Sequence, residues 1–367
     1  MKTVFFAGGG TGGHLMPALA IADAMVRLDP AVRPFFIGSL RGIEANVLRE
    51  RPWPHELLPL EPLHRRQWWR NASLPLSLLH VASRVQALVG EQRPALVVGT
   101  GGYAAGPVVW AAVRRGVPGV LQEQNAVPGL ATRWLARQVR QIHLGYAEAR
   151  AYLEPGRGTE VFESGNPIQP PPAPRPDRAA AKARWGFAPD KPVVLVVGGS
   201  QGALPINSAV DAALERGIWP SGIQLLWQAG GGMIGRFALR DDGARVLVRA
   251  FIDPISEAYA AADLVAGRAG AMTIAELCAW GLPSILIPLA AAAAGHQLAN
   301  ARALADSGAA VLLEQSSATA DSLSATVGGL LADPARLAGL SESASRRAHP
   351  DAAETIAARA LGILPTR

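Results

Sequence analysis

A short apolar run that passes directly into glycines occurs four times along the chain. These stretches are VFFAGGG from Val4, LVVGTGG from Leu96, VVLVVGGS from Val193 and LVAGRAG from Leu264. Each is followed by apolar residues at helical spacing, as in LMPALAIADAMV after the first. Repeated strand, glycine turn and helix units predict an α/β fold with a parallel sheet, whose ligands bind at the glycine-bearing carboxyl ends of the strands.

The prolines and the remaining apolar runs divide this pattern into two parts. Three prolines predict the first turns of helices that follow glycine turns: Pro17, Pro107 and Pro205. Further strands are predicted at RPFFIG, GVLQEQN and RQIHLGY, and, later in the chain, at QLLWQAG, RVLVRAFI and SILIPL. Between the two sets, NPIQPPPAPRPDR is proline-rich and without periodicity, which is typical of a linker.

The sequence therefore predicts two doubly wound, Rossmann-like domains facing a cleft. We expect an N-terminal domain over residues 1–166, a linker over 167–190, a second domain over 191–345 and a C-terminal helix in 346–367 that packs back on the first domain. A length of 367 residues also exceeds what one hydrophobic core usually holds.

Composition limits the class of protein. The single cysteine, Cys278, excludes an intramolecular disulfide and multi-cysteine metal sites, as expected of a reducing compartment. The apolar run before the first glycines is too short for a signal peptide, and glycines and prolines interrupt the uncharged stretch from Leu277 to Ala301, so we predict a cytoplasmic protein without a membrane span. The net charge of +6 comes mainly from arginines, which suit an anionic partner but also follow from a biased genome composition.

Residues that are missing near the first glycine turn exclude several classes of ligand. Gly8, Gly10 and Gly13 satisfy the G-x-G-x-x-G pattern of a dinucleotide site. A nicotinamide cofactor would need an acid at the end of the second strand, but that strand ends FIGSLRG, where only Arg41 leaves an NADP site open. The sequence contains no Walker lysine and no D-x-D triplet to hold a metal. The remaining interpretation is a phosphorylated ligand bound by backbone amides and helix N-termini, without metal or cofactor.

Seven stretches of this chain resemble, in order, the motifs of the MurG family: GGGTGGHLMPALAIA, GTGGYAAGPVVWAA, LQEQNAVPG, GNP, VVGGSQGA, RAGAMTIAELCAWGLPSILIP and GHQLANA. The resemblance extends from Val4 to about Leu313. It implies the GT-B architecture and an inverting hexosyltransferase that moves N-acetylglucosamine from UDP-N-acetylglucosamine to undecaprenyl-pyrophosphoryl-muramoyl-pentapeptide, converting lipid I into lipid II. It also implies neither a metal nor another cofactor, and no nucleic-acid partner.

The resemblance assigns roles to particular residues. His14 is implied to accept the proton of the acceptor's 4-hydroxyl as that oxygen attacks the anomeric carbon. Gly10 and Tyr103 are implied to contact the acceptor or its pyrophosphate. Residues implied to contact the donor are Thr11, Gly12, Gly13, Asn125, Gln169, Ser200, Gln201, Ile252, Ala271, Met272, Thr273, Glu276 and Gln297.

Several of these residues also have a purely structural interpretation. His14 suits the start of a helix, Thr273-x-x-Glu276 has the spacing of a capping box, and Gln297 suits a helix cap. Tyr103 could be a half-buried aromatic residue and Asn125 a turn residue. Gln169 stands where the family has an arginine, so the donor pyrophosphate is either held by another arginine such as Arg268 or bound more weakly.

Residues 63–79, LHRRQWWRNASLPLSLL, mix basic and aromatic side chains. Such a mixture suits an anionic bilayer, with tryptophans at the headgroups and arginines at lipid phosphates. The predicted membrane contacts are Arg65, Arg66, Trp68, Trp69 and Arg70. A nucleic-acid patch and inward-folded tryptophans are the alternatives. With a lipid-borne acceptor implied, we predict a peripheral protein on the anionic inner leaflet, at the cytoplasmic face of the cell membrane.

Other functions remain compatible with the same fold. One is a UDP-sugar epimerase, which would act on UDP-N-acetylglucosamine alone, and another is a transferase to a soluble acceptor. A non-enzymatic binding module is the third.

Overall fold

The computed structural model describes residues 1–60, 74–290 and 295–364. The chain divides into two compact units. Unit 1 contains Met1–Gln169 and His349–Arg367, and unit 2 contains Pro170–Ala348. Within the described ranges, no helix is long and apolar enough to cross a membrane.

Unit 1 is built on a seven-stranded parallel sheet with the order β3-β2-β1-β4-β5-β6-β7. Its strands are β1 (Lys2–Ala7), β2 (Val32–Ser39), β3 (His55–Leu58), β4 (Leu96–Gly99), β5 (Gly119–Glu123), β6 (Gln141–Leu144) and β7 (Glu160–Glu163). From β1 the chain adds strands on one side of the sheet, and at β4 it changes to the other side. The switch point of the topology therefore lies between β1 and β4.

The helices of unit 1 follow the strand ends. They are α1 (Gly12–Leu28), α2 (Glu44–Val47), α3 (Leu74–Gln92), α4 (Gly102–Val113) and α5 (Leu130–Leu135). The position of Pro17 predicts that α1 starts close to that residue. The helix starts earlier, at Gly12, because the N–H groups of His14 and Leu15 already donate to the Thr11 carbonyl. Pro17 and Pro107 consequently lie inside α1 and α4 rather than in their first turns.

Unit 2 repeats the plan with six parallel strands in the order β10-β9-β8-β11-β12-β13. The strands are β8 (Val193–Val197), β9 (Gln224–Gln228), β10 (Val246–Arg249), β11 (Leu264–Gly267), β12 (Ser284–Leu286) and β13 (Val311–Leu312). The helices are α6 (Arg178–Arg184), α7 (Leu204–Glu215), α8 (Ile234–Phe237), α9 (Ile255–Ala261), α10 (Ala271–Trp280), α11 (His296–Asp306), α12 (Ala320–Leu331) and α13 (Pro334–Arg346). Pro205 lies at the start of α7, as predicted. The switch point here lies between β8 and β11.

A last helix, α14 (Ala352–Gly362), belongs to unit 1, where it packs along α1. Its residues Ala353, Ile356, Ala357 and Ala360 are buried in the same cluster as the apolar face of α1. Unit 1 is thus completed by residues from both ends of the chain.

The predicted fold class, two Rossmann-like α/β domains, is confirmed. The sequence reading missed β3, β7 and β13, which are short strands, all three at sheet edges. Within the segment expected to be a linker, residues 178–184 form α6, which packs against α9 of unit 2. The cap that starts α6, an Asp177 side chain accepting from the Ala180 N–H at 2.8 Å, was not read from the sequence.

Candidate active site

The four glycine turns meet in pairs at the two switch points. In unit 1 the turns β1–α1 and β4–α4 are neighbours, and in unit 2 the turns β8–α7 and β11–α10 are neighbours. The strands approach closely there, since a Cβ at Gly267 would lie 2.6 Å from the Val197 carbonyl oxygen. Because ligands of doubly wound sheets bind at switch points, each unit has one candidate site.

His14 lies between the two turns of unit 1. It is the third residue of α1, and its Nδ1 is 3.0 Å from the Oγ1 of Thr11, the N-cap residue. Thr100, in the neighbouring turn, donates its hydroxyl to the His14 carbonyl at 2.7 Å. The side chain is partly exposed, so a ligand can reach the imidazole that these contacts hold in place.

Glycines make this approach possible. Gly101 and Gly102 have φ values of +92° and +77°, which favour glycine. A Cβ at Gly101 would lie 2.9 Å from the His14 Cδ2, and one at Gly102 would lie 3.2 Å from its Nδ1. Any side chain at these two positions would therefore displace the imidazole.

A buried carboxylate that sequence reasoning missed supports the first turn. Glu44, at the start of α2, accepts the N–H of Gly10 at 3.0 Å and the N–H of Ser39 at 2.8 Å. A Cβ at Gly9 would lie 2.1 Å from this carboxylate, so the turn closes tightly around it. The expectation that no acid lies at the end of β2 was wrong, because the carboxylate of Glu44, on α2, folds back to the N–H of Ser39, the last residue of that strand. The Gly10 N–H, expected to face a pyrophosphate, is paired with Glu44.

Tyr103 lies against the opposite side of this turn. A Cβ at Gly10 would come within 2.5 Å of its ring, so the aromatic ring packs on the glycine backbone. It is partly buried and also contacts the core of unit 1. The half-buried aromatic interpretation and a ligand contact are both compatible with this position.

Asn125 is held by a second buried carboxylate. Glu123 Oε1 accepts the Asn125 N–H at 3.1 Å and its Nδ2 at 3.3 Å, and Oε2 accepts the Thr132 hydroxyl at 2.6 Å. These bonds order the loop that joins β5 to α5. Asn125 remains partly exposed, so it combines a fixed backbone with a polar side chain that a ligand can reach.

Three buried amides connect this loop to the GNP motif. Gln122 donates to Asn166 at 2.9 Å, Asn166 donates to the Gln124 carbonyl at 3.0 Å, and Gln124 donates to the Thr100 carbonyl at 2.7 Å. The network thus reaches the glycine turn that lies beside His14.

In unit 2, the β8–α7 turn exposes polar side chains. Ser200 and Gln201 lie at the exposed turn ahead of α7. Behind it, the buried Gln228 donates to the Gly199 carbonyl at 3.0 Å and accepts the Ile252 N–H at 2.9 Å. The expected contact of Ile252 with a ligand would therefore use its carbonyl, because its N–H is occupied.

Glu276 is not part of a helix cap. The N-cap of α10 is Gly270, so Ala271 and Met272 open the helix, Thr273 is its third residue and no side-chain cap bond is formed. Glu276 instead accepts the Tyr259 hydroxyl at 2.8 Å. Burial raises the pKa of this carboxyl, and the hydrogen bond from Tyr259 opposes the rise. The capping-box interpretation is therefore wrong.

The remaining predicted residues are placed separately. Arg268 is buried after β11, donates to the Ile287 carbonyl at 3.0 Å, and has a pKa lowered by burial. Gln297, on α11, accepts the Leu289 N–H at 2.9 Å rather than capping its own helix. Gln169 is exposed as the last residue of the first segment of unit 1. The predicted membrane contacts, Arg65, Arg66, Trp68, Trp69 and Arg70, lie outside the described residues.

Comparison with known proteins gives consistent matches over nearly the whole chain. Residues 4–144 match the glycosyltransferase family 28 N-terminal domain, and residues 193–356 match the C-terminal domain of the same family. The chain is 39% identical, over 98% of each protein, to the UDP-N-acetylglucosamine:N-acetylmuramyl-(pentapeptide) pyrophosphoryl-undecaprenol N-acetylglucosamine transferase of Chlorobium luteolum. It is 39% identical, over 96% of each protein, to the enzyme of that name from a Nocardioides species. The crystal structure of Acinetobacter baumannii MurG matches with a TM-score of 0.80 at 26% identity, covering 99% of this chain and 100% of that one.

Proposed function

Because the chain belongs to the family of UDP-N-acetylglucosamine:N-acetylmuramyl-(pentapeptide) pyrophosphoryl-undecaprenol N-acetylglucosamine transferases, we propose that it performs their reaction. N-acetylglucosamine moves from UDP-N-acetylglucosamine to the 4-hydroxyl of the muramoyl sugar, which converts lipid I into lipid II. The acceptor oxygen forms the new bond at the anomeric carbon, the bond to UDP breaks, and the configuration inverts.

His14 is proposed to take the proton of the attacking hydroxyl. The observation that carries this role is the position of the imidazole between two glycine turns at the switch point of unit 1. When Nδ1–H donates to Thr11, the Nε2 lone pair is the basic site. The turn that leads into α1 is held by the buried carboxylate of Glu44, which accepts the Gly10 N–H at 3.0 Å.

Unit 2 is proposed to bind most of the donor. The exposed turn at Ser200 and Gln201 and the start of α10 at Ala271, Met272 and Thr273 offer amide and hydroxyl groups to the diphosphate. Helix N-termini stabilise negative charge, which builds up on UDP as the glycosidic bond breaks. Glu276 is proposed to accept the ribose hydroxyls, Ile252 to contact the uracil and Gln297 the sugar.

Residues of unit 1 are proposed to complete donor and acceptor binding. Thr11, Gly12 and Gly13, which directly precede His14, and Asn125 are assigned to the sugar and diphosphate, with Tyr103 assigned to the acceptor. Gln169 supplies no charge where relatives are expected to have arginine. Arg268 is the buried cation nearest in sequence to α10, and it is the candidate to replace that charge.

Membrane attachment is proposed to use residues 63–79 on the anionic inner leaflet. At the end of this segment, Leu76 and Leu79 on α3 are 73% and 68% exposed. Exposed leucines next to arginines and tryptophans suit a headgroup region, where apolar side chains leave water and cations meet phosphates.

The test is an assay with radiolabelled UDP-N-acetylglucosamine and lipid I. We expect labelled lipid II, and equal activity in EDTA because the diphosphate is assigned to amides and cations of the protein. The donor incubated without acceptor should remain unchanged, whereas an epimerase would convert it. Absence of lipid II with an intact, folded protein would refute the proposal.

A further inference from the structure

The contact between Tyr259 and Glu276 joins two helices of unit 2 behind the β11–α10 turn. Tyr259, on α9, is 3% exposed, and its hydroxyl lies 2.8 Å from Glu276 Oε2. Its ring also packs against Trp280 at a centroid distance of 6.1 Å. Glu276 and Trp280 are four residues apart on α10 and share a face, so one tyrosine contacts that helix twice.

A hydroxyl has a single proton, and here it is directed at one carboxylate oxygen. A tyrosine that is buried and next to a carboxylate stays protonated, and the pKa of Tyr259 is accordingly raised well above its ordinary value. It therefore acts as a donor at every physiological pH, which fixes the rotation of the carboxylate. Oε1 and the second lone pair of Oε2 then point in a defined direction.

We infer that Tyr259 is a positioning residue for the donor ribose: its hydroxyl holds Glu276 in the orientation that accepts the ribose 2′- and 3′-hydroxyls. This inference rests on the proposed ribose role of Glu276. It adds a residue for which neither sequence motif nor glycine turn gives a signal. A carboxylate held by one donor loses less rotational freedom when ligand hydroxyls bind, so the affinity for ribose rises.

The ionisation of Glu276 depends on its surroundings. Burial raises the pKa of Glu276, and the Tyr259 hydrogen bond is the effect that opposes this rise. The helices that pack against α10 are α9 and α13. Their charged side chains are Glu257, Arg336, Glu342 and Arg346. Glu342 and Arg346 pair with each other at the surface, 2.7 Å apart, and in the described part of the chain none of the four hydrogen bonds to Glu276.

The experiment compares the binding of UDP and of 2′,3′-dideoxy-UDP by titration calorimetry in the wild type and Tyr259→Phe. Phenylalanine keeps the ring contact with Trp280 and removes only the hydroxyl. We expect UDP to bind roughly tenfold more weakly to Tyr259→Phe, as is typical for loss of a hydrogen bond to a charged group, and dideoxy-UDP to bind the two proteins equally. Between about pH 5 and pH 8, the acid weakening of UDP binding should begin at higher pH in the variant, because the carboxylate is then easier to protonate.

Two further variants distinguish a wrong ribose role of Glu276 from a wrong positioning role of Tyr259. Ser341→Ala removes a hydroxyl that donates to the Gly281 carbonyl at 2.7 Å, at the other end of α10, and should leave both affinities unchanged. Glu276→Ala should weaken UDP but not dideoxy-UDP. If Glu276→Ala binds UDP normally, the ribose role of Glu276 is wrong, and the inference falls with it. If Glu276→Ala weakens UDP while Tyr259→Phe does not, or Tyr259→Phe weakens both nucleotides equally, the positioning role alone is overturned.

Discussion

The two switch points share a scaffold but differ in the side chain that supports the first glycine turn of each unit. In unit 1, Glu44 accepts the Gly10 N–H, and Glu123 orders the adjoining loop, so negative charge lies behind the turns that flank His14. In unit 2, the neutral amide of Gln228 supports the β8–α7 turn, and the β11–α10 turn lies beside both the buried cation of Arg268 and the carboxylate of Glu276. Among the described residues, no carboxylate accepts an N–H of the Gly198–Gly202 turn.

This difference fits the two tasks that we propose for the units. Negative charge near an imidazole favours its protonated form, which suits a group that receives a proton. Neutral or positive groups near helix N-termini favour a bound anion, which suits a diphosphate. The shared backbone plan gives each unit a switch point, and we propose that the side chains behind the glycines decide the chemistry of each.

The largest effect that tests this division is expected for His14→Ala. Turnover should fall by roughly two to four decades, the usual contribution of a positioned base, while the donor KM stays nearly constant. Steady-state kinetics with lipid I measures both. The matched control is His349→Ala, which replaces an exposed histidine of the same unit and should leave both turnover and donor KM unchanged. A raised donor KM with unchanged kcat would place His14 in donor binding and remove the contrast between the units.

A pH titration distinguishes the units by stability. His143, on β6, is buried against Phe162, and burial lowers its pKa from 6.5 to about 4. The folded pKa is below the unfolded one, so stability is complete above pH 6.5 and falls as the pH decreases towards 4, by about 3 kcal/mol in total. Hydrogen exchange of each unit should show unit 1 loosening first in acid. His143→Gln should flatten this dependence, and equal acid loosening of both units would contradict the assignment.

Glu44→Gln tests the charge behind the first turn. Glutamine keeps one oxygen that can accept the Gly10 and Ser39 N–H groups, but it puts an NH2 donor where Oε2 accepts the Gly10 N–H at 3.0 Å, and it removes the charge. We therefore expect a loss of about 1–3 kcal/mol in unfolding free energy, together with lower kcat. Donor KM should be unchanged. Gln228→Leu is the counterpart in unit 2, and it should raise donor KM because the Gly199 and Ile252 backbone groups lose their partner. If both variants changed the same kinetic constant, the two sites would not differ in task.

The smallest effect is expected at the membrane segment. Replacing Trp68 and Trp69 by Ala should weaken binding to anionic vesicles, and salt should weaken the wild type, since each cationic contact contributes about 1 kcal/mol. Turnover of long-chain lipid I should slow, and that of a soluble short-chain acceptor should not. Equal losses on both acceptors would show that these tryptophans stabilise the fold instead.

Sequence reasoning succeeded where the signal is local. The glycine turns and His14 lie within a few residues of a strand end, so spacing alone predicted their place in the fold. Glu44, Gln228 and Tyr259 could not be found in this way, because their partners are 34, 24 and 17 residues distant. Only an ordered tertiary structure brings them together.

The capping box shows the opposite error. Thr273 and Glu276 have the correct spacing, but the helix starts earlier, at Ala271, because a glycine occupies the N-cap. A pattern of residue types does not specify where the first turn lies, and one turn of difference moves Glu276 from the cap to the face that meets Tyr259.

The packing of α14 on α1 has a consequence for biosynthesis. Residues 170–348 emerge from the ribosome before residues 352–362, so unit 2 can fold while α1 still lacks the helix that covers its apolar face. The first domain to be translated is therefore the last to be finished. Until then Leu15, Ile21 and Met25, which share a buried cluster with α14, have incomplete cover, and apolar surface exposed in this way is prone to aggregation.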